Sequence, residues 1–265
     1  MKKTDILELA GDPRFISGIY NYCDRWCERC SFTSRCMVFA MEQEQQPDDP
    51  AQHDVNNEAF WGGIEAMLDD TKALILALAE EQGIDLASLD LEAIGKEDER
   101  LREEAAAHDL TRAANEYAEM VTQWVEAEAK PKERRQRKTE PVASEESDTV
   151  DTADIIDATE VLRWYQHQIG VKIARALVGS AREDQREEVE WQKDSDGSIK
   201  VALIGIDRSM AAWGLLLNEF GDRVTNISPI LLHLERLRRM TEQTFPNARN
   251  FVRPGFDEAP TDFVS

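Results

Sequence analysis

Apolar residues recur at intervals of three and four positions along most of the chain, which is the spacing of one face of an α-helix. The clearest example runs from Glu58 to Gln82. Its apolar positions are Phe60, Ile64, Met67, Leu68, Leu74, Ile75 and Leu78. Gly83 follows and is expected to end this helix, because glycine adopts the left-handed conformation of a helix C-terminus at little cost.

The same spacing predicts five further helices. The shortest covers residues 85–94, and the longer ones cover residues 96–129, 154–182, 198–220 and 228–245. Helix 154–182 has apolar residues on two faces, and helix 198–220 is apolar almost all round, which is typical of helices inside a bundle. Asp196 and Gly197 are expected to form the turn before helix 198–220.

The sequence lacks a convincing strand-like alternation of apolar and polar residues. We therefore predict an all-α fold, a helical bundle of four to five long helices with an N-terminal four-cysteine metal module. Composition further divides the chain, because two segments rich in charge and poor in apolar residues are typical of linkers. The predicted organisation is a cysteine-cluster module at 1–42, a linker at 43–56, a first helical part at 57–129, a disordered charged linker at 130–151, a second helical part at 152–246 and a tail at 247–265.

Charge limits the partners of this chain. Its 265 residues include 53 acidic and 31 basic ones, for a formal net charge of −22. Because phosphate binding needs clustered Lys and Arg, nucleic acid is not expected as a partner, and a protein or redox partner is expected instead. The one dense basic block, Lys130–Lys138, is expected to be a solvated linker. Docking to an acidic partner, or to the chain's own acidic helices, is the alternative.

The cellular setting follows from what the N-terminal region lacks. The first ten residues contain no apolar core of a signal peptide, and no run of about 18 apolar residues predicts a transmembrane helix. We therefore expect a cytoplasmic protein without membrane contact. A reducing cytoplasm also makes disulfide bonds an unlikely use for cysteine.

All four cysteines of the chain lie in one short window, with the spacing Cys-x3-Cys-x2-Cys-x5-Cys. They are Cys23, Cys27, Cys30 and Cys36. The first three have helical spacing, so they are expected to form a stripe on a helix that runs in from Pro13, and a turn would return Cys36 as the fourth ligand. Four thiolates suit a tetrahedral Zn²⁺ or a [4Fe-4S] cluster.

The second half of this window favours iron and sulfur. Zinc modules usually have two Cys-x2-Cys knuckles or one knuckle and a His pair, and this chain has a single knuckle. The run from Cys27 to Cys36, with spacing Cys-x2-Cys-x5-Cys, resembles the [4Fe-4S] loops of endonuclease III-type DNA glycosylases and RecB-like nucleases. The resemblance implies a cluster held by the four cysteines. It covers only this segment, and no catalytic set of those enzymes follows it, so their activity is not implied.

The residues around the cysteines suit a shielded anionic centre. Aromatic side chains are expected to cover it, and arginines are expected to offset its negative charge. The aromatic residues are Tyr20, Tyr22, Trp26 and Phe32, and the arginines are Arg25, Arg29 and Arg35. The triplet Cys-x3-Cys-x2-Cys is also that of radical S-adenosylmethionine enzymes, but those are usually α/β barrels, whereas this chain reads as helical.

The helical part offers weaker candidates for a site. Asp207 and Arg208 are the only charges between Val201 and Leu217, and burial of either one requires a partner on another element. His167 and His233 lie on apolar faces, where a hydrogen-bonded core histidine is the expected outcome and a second metal or a proton relay is the alternative. The Glu-x-x-His motif of di-iron bundles is missing from the sequence.

Three functions remain open from the sequence. The first is an iron–sulfur protein that transfers electrons or senses redox state through Cys23, Cys27, Cys30 and Cys36, with Asp207, Arg208 and His167 as candidates for a partner or substrate site. The second is a helical scaffold stapled by zinc, in which the metal supplies folding energy only. The third is a helical oxidoreductase with a second metal centre in the bundle.

Overall fold

A computed structural model of the chain describes residues 9, 11–44, 54–135, 152–184, 192–220 and 227–257. Within these residues the protein has seven α-helices and no β-strand, which confirms the predicted all-α fold. The chain divides into two compact units. Unit 1 contains Met1–Lys96 and Arg253–Ser265, and unit 2 contains Glu97–Val252.

Unit 2 is built around four helices that pack in a closed cycle. Helix α4 (Asp109–Arg135) contacts α5 (Thr152–Glu183), which contacts α6 (Asp194–Phe220). Helix α7 (Ile227–Thr244) contacts both α6 and α4 and so completes the cycle. The end of α3 (Leu91–Ala107) adds buried Leu101 and Ala105.

The core of unit 2 follows the apolar spacing of the sequence. Each of the four helices buries residues three and four positions apart, which places one continuous stripe of each helix in the core. In α4 the stripe is Leu110, Ala114, Tyr117, Val121 and Trp124, and in α5 it is Ala158, Leu162, Tyr165, Ile169, Ile173 and Ala176. These side chains are at most 7% exposed, so burial of apolar surface explains why the helices associate.

Polar caps set two helix boundaries that apolar spacing placed elsewhere. The predicted helix at 85–94 is instead a 3₁₀ turn at Leu86–Ser88, and α3 begins at Leu91, where the Asp90 carboxylate accepts a hydrogen bond from the Ala93 N–H at 2.9 Å. The predicted helix at 96–129 is interrupted at His108. Its Nδ1 accepts a hydrogen bond from the Leu110 N–H at 3.2 Å, which starts α4 afresh.

The start of α6 also differs from the predicted one. Asp196 and Gly197 lie inside its first turn rather than in a turn before it. The Glu183 carboxylate accepts hydrogen bonds from the N–H (2.9 Å) and hydroxyl (2.6 Å) of Ser195, so a side chain from α5 satisfies this helix end. Helices α5, α6 and α7 otherwise match the predicted ranges to within four residues.

Unit 1 contains little regular packing. Helix α1 (Met37–Glu44) is short, and the 24 residues of α2 (Glu58–Glu81) include one buried side chain, Ala79. Gly83 ends α2 as predicted, with φ of 68°, and the Ile84 N–H donates to the Ala79 carbonyl at 2.8 Å. Large apolar side chains on α2 remain exposed, including Trp61, Met67, Leu68, Ile75 and Leu76.

Several sequence predictions lie partly outside the described residues. This is the case for positions 45–53 of the first predicted linker, for positions 136–151 of the second and for positions 258–265 of the tail. Helix α4 continues to Arg135, which is six residues into the segment predicted as a disordered linker and into the basic block Lys130–Lys138. Within the described part of the chain, no helix is both long and apolar enough to cross a membrane.

Candidate functional site

The four cysteines lie on irregular backbone rather than on a helix, so the predicted helical stripe is wrong. Short 3₁₀ turns at residues 19–22, 27–29 and 33–35 alternate with extended positions. Cys23, Cys30 and Cys36 are all extended at the ends of these turns. Arg25 has a φ of 57° and is the only described residue besides glycines with a left-handed backbone. A helix cannot continue through such a position.

This irregular path nevertheless brings the four cysteines to one place. Cys23, Cys27, Cys30 and Cys36 all line a single cavity of about 20 Å³ in unit 1. Each is partly exposed, and none of the four forms a disulfide bond. The rest of the lining is largely apolar or aromatic and comes from Ile19, Tyr20, Trp26, Phe32, Phe39 and Phe256 together with Asp24, Arg25 and Thr33. The structure therefore groups the predicted ligands within an apolar wall.

The sulfur atoms have distinct surroundings. Burial raises the pKa of the Cys27 thiol, and the negative charges of Glu42 and of the other three cysteines raise it further. The Phe32 N–H donates a hydrogen bond to Cys30 Sγ at 3.4 Å. The Cys23 thiol donates to the Tyr20 carbonyl at 3.5 Å. Four thiolates would thus repel one another here unless a cation compensates their charge.

Two of the predicted arginines lie beside the cavity. Arg25 belongs to the lining and forms an ion pair with Glu42 of α1 at 3.4 Å. The Arg29 guanidinium stacks over the ring of Trp26, 4.0 Å from its centroid. A cation held on an aromatic ring keeps its charge near the site while its apolar partner shields that site.

The sequence did not indicate that the C-terminal segment belongs to this site. Phe256 lines the cavity, and its ring contacts Phe32 edge-to-face with centroids 5.0 Å apart. Residues 247–265 were predicted only as a tail. Its one local signal is the run Arg253-Pro-Gly-Phe, because a Pro-Gly pair marks a tight turn and places the next aromatic side chain.

The charged candidates of the bundle form structural contacts in unit 2. Asp207 accepts hydrogen bonds from Arg249 at 2.6 and 3.2 Å and lies 3.8 Å from Arg238. The Arg208 guanidinium donates to the Tyr165 hydroxyl and lies 5.7 Å from the centroid of that ring. Both residues thus find partners on other elements, as predicted, but Arg208 is exposed rather than buried.

The two bundle histidines differ. His233 has a side chain that is 11% exposed, and its Nε2 lies 2.7 Å from the Ala113 carbonyl, so it is the expected hydrogen-bonded core histidine. His167 is exposed, which contradicts the predicted core position. Its place on α5 lies between the two buried positions Tyr165 and Ile169, on the side of the helix that faces away from the core.

The described residues contain no side-chain arrangement that is ready to bind a metal ion. Among the described residues, no group of three or more His, Cys, Asp or Glu is placed so that it could hold a metal ion. The four cysteines thus share a cavity without forming a ready coordination sphere.

The chain matches no protein-family model, and comparison with curated proteins and with solved structures gives no significant match.

Proposed function

We propose that unit 1 binds a [4Fe-4S] cluster through Cys23, Cys27, Cys30 and Cys36, and that the protein transfers electrons or senses redox state. The observation that carries this proposal is the cavity that all four cysteines line. Four cysteines that meet on irregular backbone, with no disulfide between them, need another reason to be grouped. Soft thiolate ligands select thiophilic metals, of which iron–sulfur clusters and zinc are the common cases.

The surroundings of the sulfur atoms support a ligand of positive charge. Burial disfavours the Cys27 thiolate most, and the negative charges of Glu42 and of the neighbouring cysteines add to this effect. A bound metal centre reverses that preference, because it stabilises thiolates and releases their protons. The N–H that Phe32 donates to Cys30 Sγ is the kind of bond that stabilises ligated sulfur and tunes its potential. The loops would have to move before the four sulfur atoms could coordinate a metal centre, because no group of described residues is now placed to hold a metal ion.

The mixed exposure of the site favours a redox role over a purely structural one. The wall is rich in aromatic residues, which limits water, yet every cysteine remains partly exposed. A centre at this position is shielded and still close to the surface of unit 1. Burial and hydrogen bonds to sulfur are the factors that set the potential of such clusters, and surface access allows electrons to pass to a partner.

Metal analysis of protein purified without oxygen tests this proposal. We expect a brown protein with about four iron and four sulfide per chain and a broad absorbance shoulder in the blue that dithionite bleaches. Cys27→Ser is expected to lose most of this iron. Ser34→Ala is the matched control, because Ser34 is an exposed residue of the same loop and should leave the iron content unchanged.

Three results would overturn the proposal. A colourless protein with one zinc per chain would favour the zinc-stapled scaffold, in which the metal contributes to folding alone. A protein that binds neither metal after reconstitution with iron and sulfide, or with zinc, would remove both functions. Equal iron loss in Cys27→Ser and Ser34→Ala would show that the iron is not bound by the cysteines.

A further inference from the structure

The wall of the cysteine cavity is completed by a residue far along the chain. Phe256 lines the cavity together with Phe32, and the two rings meet edge-to-face at an interplanar angle of 71°. This geometry is a favoured one for aromatic pairs and adds specific attraction to the burial of both rings. Phe32 also provides the N–H that is donated to Cys30 Sγ. Phe256 is therefore one contact away from a cysteine sulfur.

The segment around Phe256 packs closely on the N-terminal part of unit 1, and its bend favours glycine. Gly255 has a φ of 74°, a conformation that other residues rarely adopt. A Cβ atom built at this position would lie 2.8 Å from Ile16 Cδ1 and 3.0 Å from Ile19 Cδ1. Ile19 is itself 2% exposed and lines the same cavity. The backbone at Gly255 thus packs directly on the apolar side of the site.

The segment Arg253–Asp257 is also fixed by its own side chains. Arg253 donates to Asp257 from its Nε and Nη2, both at 3.0 Å, and its backbone N–H donates to the same carboxylate at 3.0 Å. The guanidinium lies 4.8 Å from the centroid of the Phe256 ring. The two charged side chains are only 15% and 22% exposed. This ion pair holds a tight turn that presents Phe256 to the cavity.

We propose that Arg253–Asp257 is the cover of the cysteine cavity, and that Phe256 closes it and positions Phe32 beside Cys30. The cover limits the access of water and of thiol-reactive molecules to the four sulfur atoms. Its effect on a metal centre depends on the function proposed above, whereas its effect on the thiols does not. The cover contains no regular helix or strand, and segments of this kind can open locally without global unfolding.

Alkylation of the cysteines tests the cover in the full-length protein, after any metal has been removed with a chelator under reducing conditions. The rate of reaction with N-ethylmaleimide is followed for each cysteine by mass spectrometry. Phe256→Ala is expected to increase the rate at Cys30 about tenfold, which corresponds to about 1.4 kcal/mol of lost closed-state stability. Phe256→Tyr keeps the ring and is expected to restore the slow rate.

Phe60→Ala is the matched control. Phe60 also belongs to unit 1 and forms an edge-to-face pair, with Trp61 at 5.2 Å, but it does not line the cavity. Its variant should label at the wild-type rate. Gly255→Ala leaves the Phe256 ring in the chain yet displaces the cover, so it should label faster than the wild type. Circular dichroism is used to check whether each variant keeps its helices.

Equal labelling rates in wild type, Phe256→Ala and Gly255→Ala would overturn the proposal. If Phe256→Ala loses helical structure, Gly255→Ala and Phe256→Leu test the proposal instead. At least one of these two variants must keep wild-type helicity and react faster with N-ethylmaleimide than the wild type. The two proposals fail separately. Protein that binds no metal but shows the expected labelling pattern contradicts the cluster alone, and protein with bound iron but unchanged labelling contradicts the cover alone.

Discussion

Unit 2 has a large apolar core, and unit 1 does not. Ile19 and Ala79 are the only buried apolar residues in the described part of unit 1, whereas unit 2 buries such residues on all four helices of its bundle. Large exposed apolar side chains show the opposite distribution. Most of them lie in unit 1, from Val55 to Ile94. Stability in unit 2 therefore comes from apolar burial, and the order of the cysteine region must depend on other interactions.

The cysteine region of unit 1 is held by specific contacts between a few side chains. They include the aromatic contact between Phe32 and Phe256, the Arg253–Asp257 ion pair and the close approach at Gly255. Small protein units with a limited core often add a metal or disulfide bonds. The cysteines of unit 1, which form no disulfide bond, are consistent with the first of these solutions.

The largest expected difference between the units is in the free energy of unfolding that a leucine-to-alanine change removes. Leu162 is fully buried in unit 2, and Leu68 is 65% exposed on α2 of unit 1. Leu162→Ala should lower the free energy of unfolding by about 2–5 kcal/mol, because it leaves a cavity, whereas Leu68→Ala should change it by less than about 0.5 kcal/mol. Urea denaturation measures both. A large cost for Leu68→Ala would show that α2 is buried in solution and would break the comparison.

Glycine-to-alanine changes should alter the free energy of unfolding with opposite signs at a packed position of unit 2 and at an open position of unit 1. A Cβ at Gly205 of α6 would lie 2.9 Å from Tyr165 Cδ1, whereas a Cβ at Gly63 of α2 meets nothing within 4 Å. Gly205→Ala is expected to cost about 1–2 kcal/mol through overpacking, and Gly63→Ala to gain about 0.5–1 kcal/mol from helix propensity. Gly214 of α6 also has open space and serves as the control within unit 2. Thermal unfolding that shows the same sign for all three would contradict the packing between α5 and α6.

Two aspartates should give the smallest effects, with opposite dependence on pH. In unit 1 the hydrogen bonds from Arg14 lower the pKa of Asp12 below 3.8, so its stabilisation is present above that pH and is lost as the pH falls through the lowered value. In unit 2 burial, and then the charge of Glu183, raises the pKa of Asp196 above 3.8. Its protonated form is the stabilising one, so that contribution is full below pH 3.8 and is lost as the pH rises through the raised value.

The corresponding asparagine variants test these signs. At pH 7, Asp12→Asn should slightly lower the melting temperature, and Asp196→Asn should slightly raise it. Both differences from wild type should shrink as the pH is lowered toward about 4 for Asp196, and further still for Asp12. A difference that stays constant over this range would mean that packing, not ionisation, explains the effect.

Most of the fold could be predicted from the sequence because apolar spacing and burial coincide in unit 2. Leu110, Tyr117 and Trp124 lie on one predicted face and on one buried stripe. The errors occurred where a polar side chain overrode that spacing. His108 interrupts a pattern that otherwise continues, and Glu183 starts α6 earlier than its apolar residues indicate. Such caps depend on one or two hydrogen bonds, which a pattern averaged over many residues does not register.

The sequence indicated that the four cysteines would lie close together, but it did not indicate the shape of the cavity that they line. Spacing grouped Cys23, Cys27 and Cys30 on a helix, yet Arg25 adopts a left-handed conformation that no pattern of residue types indicates. The residues that form the cavity wall were harder to predict than the cysteines. Phe256 reaches Phe32 through a tertiary contact, and a single sequence carries no signal for contacts between such distant positions.

The place of Phe256 in the chain has a consequence for synthesis of the protein. At about 5–20 residues per second, a ribosome makes the cysteine segment roughly 10–40 s before it makes Phe256. During that interval the four thiols have emerged, but the aromatic side chain that completes their enclosure does not yet exist. A metal centre or an assembly factor would therefore meet an open site on the nascent chain and a narrower one on the finished protein.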